Sequence, residues 1–94
     1  MDSAQEIMSI SGRLSSKRNT FCIQYWKIGD ASNPKVMRRI NKDGMVISAK
    51  TYSEVFFYGS LKEAWADARW FQDNGFDIKV AKCNKGRNDS FWLI

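Results

Sequence analysis

The sequence has no histidine, a single proline and only two cysteines in 94 residues. Histidine is the commonest general base and metal ligand, so its absence excludes Ser–His–Asp and Cys–His catalytic arrangements. The cysteines, Cys22 and Cys83, are too few and too far apart for a cysteine-rich zinc site. The glycines are scattered, and no phosphate-binding glycine loop is present. We therefore expect no enzyme activity, no metal site and no cofactor.

The chain also lacks a long apolar run. No stretch approaches the roughly 20 apolar residues that cross a membrane. The first residues, MDSAQEIMSISGR, have neither the basic start nor the apolar centre of a signal peptide. These features predict a cytoplasmic protein with reduced thiols and no membrane partner.

Aromatic side chains and positive charge are what the sequence does have. Six Phe, four Trp and three Tyr, within a hydrophobic fraction of 44%, are enough to build the core of one domain. Fifteen basic and ten acidic residues give a net charge of +5. A basic balance favours an anionic partner such as nucleic acid, although a surface charged for solubility alone gives the same value.

Alternating apolar and polar residues predict strands along most of the chain. The clearest is TFCIQYWKI, residues 20–28, where β-branched and aromatic side chains dominate. Asp43-Gly44 favours a type I′ turn that would join two strands as a hairpin. The remaining strands are expected near 35–41, 45–50, 77–83 and 90–94, and residues 54–59 would form either a further strand or the bent end of the third one.

Residues 60–74 carry the strongest helix signal. Ser60 is a natural N-cap with Glu63 at capping-box spacing, and Gly75 suits the position that follows the last turn. At 100° per residue, one apolar stripe predicted to face the sheet contains Leu61, Ala64, Trp65, Ala68 and Phe71. A weaker pattern favours a short helix over residues 2–14.

The order of elements predicts an α+β fold. We expect an antiparallel sheet of four to five strands with the main helix, about residues 60–74, packed on one face. The single α+β domain would span residues 20–94, after an N-terminal segment or arm of residues 1–19.

Trp70 does not fit the apolar stripe, because it falls about 180° from Leu61 on the helix. Aromatic anchors dominate binding energy at protein interfaces. Trp70 and its acidic neighbours Glu63 and Asp67 are therefore candidate protein-contact residues. Alternatively, the last strand or the N-terminal segment covers Trp70, and the apolar side chains for such a cover are Met1, Ile7, Met8 and Ile10.

Positive charge is concentrated on the predicted hairpins. Basic side chains supply phosphate contacts, and rings such as Tyr25, Trp26, Tyr52 and Trp92 supply base stacking. Lysines that protect the edges of a sheet would give the same pattern. The candidate nucleic-acid-binding residues are Arg38, Arg39, Lys42, Lys50, Lys79, Lys82, Lys85 and Arg87.

Two functional hypotheses follow. The slightly favoured one is a small non-enzymatic protein that contacts nucleic acid through basic β-hairpins. The alternative is an inhibitor or adaptor that binds a larger protein through the helix face around Trp70. In size and aromatic content the chain resembles phage-encoded inhibitors of host defence, anti-CRISPR proteins among them, and this resemblance assigns no role to any residue. The choice between DNA and RNA, the sequence preference and the oligomeric state stay open.

Overall fold

A four-stranded antiparallel sheet forms the centre of the computed structural model, which describes residues 7–94. Its strand order is β3-β2-β1-β4, and a separate two-stranded hairpin, β5-β6, ends the chain. One helix, α1, packs on the sheet. The elements are β1 (Cys22–Lys27), β2 (Lys35–Ile40), β3 (Val46–Ser48), a 3-10 turn (Tyr52–Glu54), α1 (Leu61–Asp73), β4 (Phe76–Ala81), β5 (Cys83–Lys85), a second 3-10 turn (Arg87–Asp89) and β6 (Phe91–Leu93). The α+β class, with one main helix on a small antiparallel sheet, is confirmed.

Helix α1 begins and ends where its capping residues predict. The Ser60 hydroxyl accepts a hydrogen bond from the Glu63 N–H at 3.2 Å, which satisfies one of the free donors of the first turn. Gly75 follows the C-cap with a φ of 89°, a left-handed conformation that costs glycine nothing.

The buried face of α1 differs from the predicted stripe. Its fully buried side chains are Ala64, Asp67, Ala68 and Phe71. Leu61 and Trp65, which were predicted to face the sheet, are 51% and 46% exposed. At 100° per residue, this corresponds to a rotation of about 40° around the helix axis. The rotation carries Asp67 inward and turns Trp65 outward.

An apolar cluster lies on each face of the sheet. The cluster under α1 contains Ile23, Tyr25, Met37, Phe56, Tyr58, Ala64, Ala68 and Phe71. The cluster on the opposite face contains Cys22, Val36, Ala49, Val55, Phe57, Ala81 and Cys83, and Phe91 and Leu93 of β6 pack against it. Helix α1 therefore covers one face, called here the helix side, and the C-terminal hairpin covers part of the other, the hairpin side.

Residues 55–58 form a buried extended segment that joins the two clusters. Strands β1 and β2 pair only at Gln24–Val36 and Tyr25–Lys35. Beyond that point the Phe56 N–H donates to the Met37 carbonyl at 3.1 Å, and Tyr58 exchanges two backbone hydrogen bonds with Phe21. The further strand predicted at 54–59 is thus reduced to an isolated bridge at Tyr58.

The described part of the N-terminal segment lies against the body of the protein. Met8 and Leu14 pair across a tight turn, so the helix predicted over 2–14 is absent from its described part. Residues 2–6 of that prediction lie outside the described residues. The Ser16 N–H donates to the Phe57 carbonyl at 2.7 Å, and Ile7 packs against the helix-side cluster.

The turn between β2 and β3 is not the predicted type I′ turn. The Asn41 N–H donates to the Met45 carbonyl at 2.9 Å, and the Gly44 N–H donates to the Asn41 carbonyl at 3.0 Å. Gly44 has a φ of 79°, whereas Asp43 does not adopt positive φ. This is a longer hairpin loop with one left-handed glycine, and the Asn41 side chain stabilises it by accepting from two backbone N–H groups.

Candidate functional site

A shallow groove lies on the hairpin side of the sheet, with a volume of about 420 Å³. Lys35 and Lys50 line it together with Trp92 of β6, whose side chain is 54% exposed. The other lining residues are Gln24, Asn33, Pro34, Val36, Ser48, Ala49, Phe91 and Leu93. The lining contains two lysines and no carboxylate, so the groove favours an anionic ligand with an apolar, stackable part.

Of the predicted basic residues, Lys50 lines the groove. Lys79 lies opposite Gln24 across the β1–β4 pair, so it projects from the same face of the sheet without lining the groove. Lys35 was not predicted as a site residue. Alternation gives no signal for Lys35, because it pairs with Tyr25 of the helix side, and its neighbour Val36 is the residue that faces the hairpin side.

Lys82, Lys85 and Arg87 lie outside the groove lining. The Lys82 ammonium is 5.7 Å from the centre of the Phe21 ring, and the Lys85 ammonium is 5.9 Å from the centre of the Tyr52 ring. Contacts of this kind at exposed sites contribute about 0.5–1 kcal/mol. The structure therefore distributes these basic residues around the C-terminal hairpin and does not gather them at one point.

Arg38 is held by a carboxylate. Its Nη1 lies 3.0 Å from Oε2 of Glu54, and its Nε is buried without a partner among the described residues. This contact ties β2 to the Tyr52–Glu54 turn through one nitrogen of the guanidinium. Arg39 and Lys42 are exposed at the end of β2 and in the turn after it, and neither lines the groove.

Backbone contacts favour the charged form of Glu54. Its Oε1 accepts from the N–H of Lys50 at 2.7 Å and from the N–H of Thr51 at 3.2 Å. The bond from Lys50 is the main reason why the pKa of Glu54 lies below its ordinary value, with Arg38 adding to the effect. The carboxylate thereby fixes the turn that carries Lys50 to the groove.

The aromatic residues predicted to stack with bases separate into two groups. Tyr25 is buried, with its ring centre 5.2 Å from that of Phe71, and burial raises its pKa to about 12. Its prediction as a surface residue is wrong, because its position in β1 points to the helix side. Trp26 and Tyr52 are half-buried, and Trp92 remains the most exposed ring of the four.

Asp67 is the centre of a buried polar network. The Tyr58 hydroxyl donates to its Oδ2 at 2.6 Å, and the Ser11 hydroxyl donates to its Oδ1. Arg13 Nη1 lies 3.9 Å from Oδ1. Burial and the adjacent carboxylate together raise the pKa of Tyr58 far above its ordinary value. The prediction that Asp67 lies on the outer face is wrong, since its partners draw it inward.

Trp70 and Glu63 lie on the flank of α1 beside the N-terminal segment. Trp70 is half-buried against the helix-side cluster, with its ring edge-on to Phe71 at 5.3 Å. Ile7 packs against the same cluster, whereas Met8 is exposed and Met1 lies outside the described residues, so the cover proposed for Trp70 stays a prediction. Glu63 is half-buried, 3.8 Å from Arg13.

Within residues 7–94, no helix has the length and apolarity needed to cross a membrane. The same residues contain no group of three or more histidine, cysteine, aspartate or glutamate side chains placed to hold a metal ion. A scan against protein-family models found no match. Searches among curated proteins and among solved structures found no significant similarity. The function must therefore be argued from the geometry of the chain itself.

Proposed function

We propose that the protein is a non-enzymatic module that binds single-stranded nucleic acid in the groove on the hairpin side. One observation carries the proposal: the exposed ring of Trp92 shares a single groove with Lys35 and Lys50. A base stacked on Trp92 would place its phosphates within the field of the two lysines.

The energies of the two contact types support this proposal. Stacking a base on an aromatic side chain contributes about 1–3 kcal/mol, whichever base is stacked. Two lysines without a carboxylate between them add phosphate contacts that depend on salt. The groove volume of about 420 Å³ falls within the range of small-ligand sites, so it suits a short stretch of a single strand.

A single strand fits the structure better than a duplex read by a β-ribbon. A ribbon in the major groove needs free arginines near its tip to contact guanine. Arg38 is paired with Glu54, which leaves Arg39 and Lys42 as the exposed basic residues at that end of β2. The absence of histidine from the sequence favours binding without catalysis. Two free, buried cysteines suit the cytoplasm, which we include in the proposal.

Titration of a labelled single-stranded oligonucleotide tests the proposal. For two phosphate contacts, the slope of log affinity against log salt concentration should be near −1.4. The affinity should therefore fall about sevenfold between roughly 50 and 200 mM salt. Trp92→Ala should weaken binding by about tenfold to a hundredfold, because it removes the stacking contact. Fluorescence anisotropy with DNA and RNA oligonucleotides measures both effects and also decides between the two nucleic acids.

The chain offers matched controls. Trp65 is exposed to a similar degree on the helix side, so Trp65→Ala should change affinity by less than about twofold. Lys50→Glu should weaken binding, whereas Lys42→Glu, an exposed change outside the groove lining, should have little effect. No binding at low salt, or equal losses for Trp92→Ala and Trp65→Ala, would contradict the proposal.

The alternative proposal is an inhibitor or adaptor that binds a protein through the helix face around Trp70. Its support is weaker than the sequence suggested, because Asp67 is buried and Trp70 packs against the core. If Trp70→Ala abolished capture of a protein partner while the fold stayed intact, this alternative would replace the nucleic-acid proposal.

A further inference from the structure

The outer edge of β4 is open in the described part of the chain. Strand β4 stands at the end of the strand order and pairs with β1 on one side only. Among residues 7–94, no other segment makes a backbone hydrogen bond to Phe76–Ala81 from the other side. An open edge that carries half-buried apolar residues can accept another strand.

The register of β4 determines which backbone groups face outward. The Ile28 N–H donates to the Gly75 carbonyl at 3.2 Å, and the β1–β4 register continues from that pair. Hydrogen-bonded and non-hydrogen-bonded pairs alternate along antiparallel strands. The backbone groups of Asp77 and Lys79 therefore point to β1, and the outward groups belong to Phe76, Ile78 and Val80.

We propose that two copies of the chain associate by pairing their β4 strands antiparallel, with Ile78 opposite Ile78. Only registers that join outward-facing residues form backbone hydrogen bonds. In the proposed register Phe76 lies opposite Val80, and Asp77 of each copy lies opposite Lys79 of the other. Opposite charges in direct cross-strand pairs stabilise a sheet, and like charges destabilise it.

Charge selects this register over its neighbours. Shifting one strand by two residues relative to the other gives the next register with backbone hydrogen bonds. In one direction this shift places Asp77 opposite Asp77, and in the other it places Lys79 opposite Lys79. Both side chains are exposed on the hairpin side of the sheet, where the cross-strand pairs would form. The strand is therefore complementary to itself in one register, as a two-fold symmetric interface requires.

Helix α1 adds apolar surface beside the same edge. The hydrogen bond between Tyr58 and Asp67 turns one flank of α1 toward residues 55–58, which bond to Met37 of β2. The opposite flank, with Leu61 and Trp65, therefore lies toward the free edge of β4. These side chains are 51% and 46% exposed, and pairing of two copies would bring both flanks together across the symmetry axis.

Sedimentation velocity over a range of chain concentrations tests the proposal. The natural chain should form a dimer. Asp77→Lys and Lys79→Asp should each raise the dissociation constant at least tenfold, because each places like charges opposite each other twice. The double change Asp77→Lys with Lys79→Asp should return the dissociation constant to within about threefold of the original, because both pairs reappear in reversed order.

Two further variants test whether the dimer forms through the outer edge of β4. Ile78→Pro removes an outward N–H and leaves the bonds to β1 intact, so it should abolish the dimer. Lys42→Asp reverses the charge of an exposed lysine in the turn after β2 and should leave the dimer unchanged. Circular dichroism checks that each variant is folded. A chain that stays monomeric at every concentration, or a double variant no better than the single ones, would overturn the proposal.

Discussion

The two faces of the sheet are covered by different means. On the helix side, α1 and the N-terminal segment enclose a large aromatic cluster and a buried carboxylate. On the hairpin side, two short strands cover only part of the face and leave Trp92 exposed beside the groove. The comparison indicates that burial is concentrated under the helix, and the proposed binding groove lies on the face where coverage is incomplete.

The polar contacts of the two faces differ in the same way. Asp67 on the helix side is fully buried and bonded to Tyr58 and Ser11. On the hairpin side, Glu54 pairs with Arg38 near the surface. Exposed ion pairs contribute about 0–1 kcal/mol, whereas breaking a buried charged contact costs several times more. Removing a carboxylate on the helix side should therefore lower the free energy of unfolding more than removing one on the hairpin side.

The largest expected effect is that of Asp67→Ala. It leaves the buried Tyr58 hydroxyl without its acceptor and Arg13 with Glu63 as its remaining carboxylate, so we expect a loss of about 3–5 kcal/mol in the free energy of unfolding. Urea unfolding followed by tryptophan fluorescence measures it. Asp73→Ala, at an exposed position of the same helix, is the control and should change stability by less than about 0.5 kcal/mol. Similar losses for both variants would contradict the buried network.

A smaller difference should separate the two tryptophans of α1. Trp70 packs against the core, so Trp70→Ala should cost about 2 kcal/mol, below the range for a fully buried ring. Trp65→Ala should cost less than about 1 kcal/mol in the monomer, because that side chain is largely exposed. Unfolding curves at low chain concentration compare the two variants, and a reversed order would show that the helix is not rotated as described.

The smallest expected effect is the loss of stability on removing the Glu54 charge on the hairpin side, and it depends on pH. Because the pKa of Glu54 is lowered in the folded protein, its contribution to stability is present above the ordinary value of 4.5. That contribution is lost as the pH falls through the lowered pKa. The difference in urea midpoint between the natural chain and Glu54→Gln should therefore be greatest near neutral pH and vanish in acid. A difference that is constant with pH would show that the carboxylate charge is not involved.

The class of the fold and the limits of the helix were predictable because their signals are local. The Ser60 cap lies within one turn of the helix that it starts, and Gly75 directly follows the C-cap. The strand β1 also lies within the predicted range of residues 20–28, because its alternation is a local signal. None of these predictions requires contacts between distant parts of the chain.

The rotation of α1 was not predictable from the periodicity of the helix. An aspartate is normally assigned to the solvent side, and its inward position depends on Tyr58 and on Ser11, which is 56 residues away in the chain. The groove has the same origin, because Lys35, Lys50 and Trp92 come from separate elements. The composition of the site could be predicted in part, but its assembly required the tertiary structure.

The buried segment of residues 55–58 has a consequence for how the molecule unfolds. Its successive side chains pack alternately in the hairpin-side and helix-side clusters. Because Phe56 and Phe57 are adjacent in the chain, displacing Phe56 from the helix-side cluster should also displace Phe57 from the hairpin-side cluster. The two layers should therefore unfold as a single cooperative unit, and slowly exchanging amide protons on both faces should report the same opening free energy. We expect this link of four residues to couple the unfolding of the two clusters.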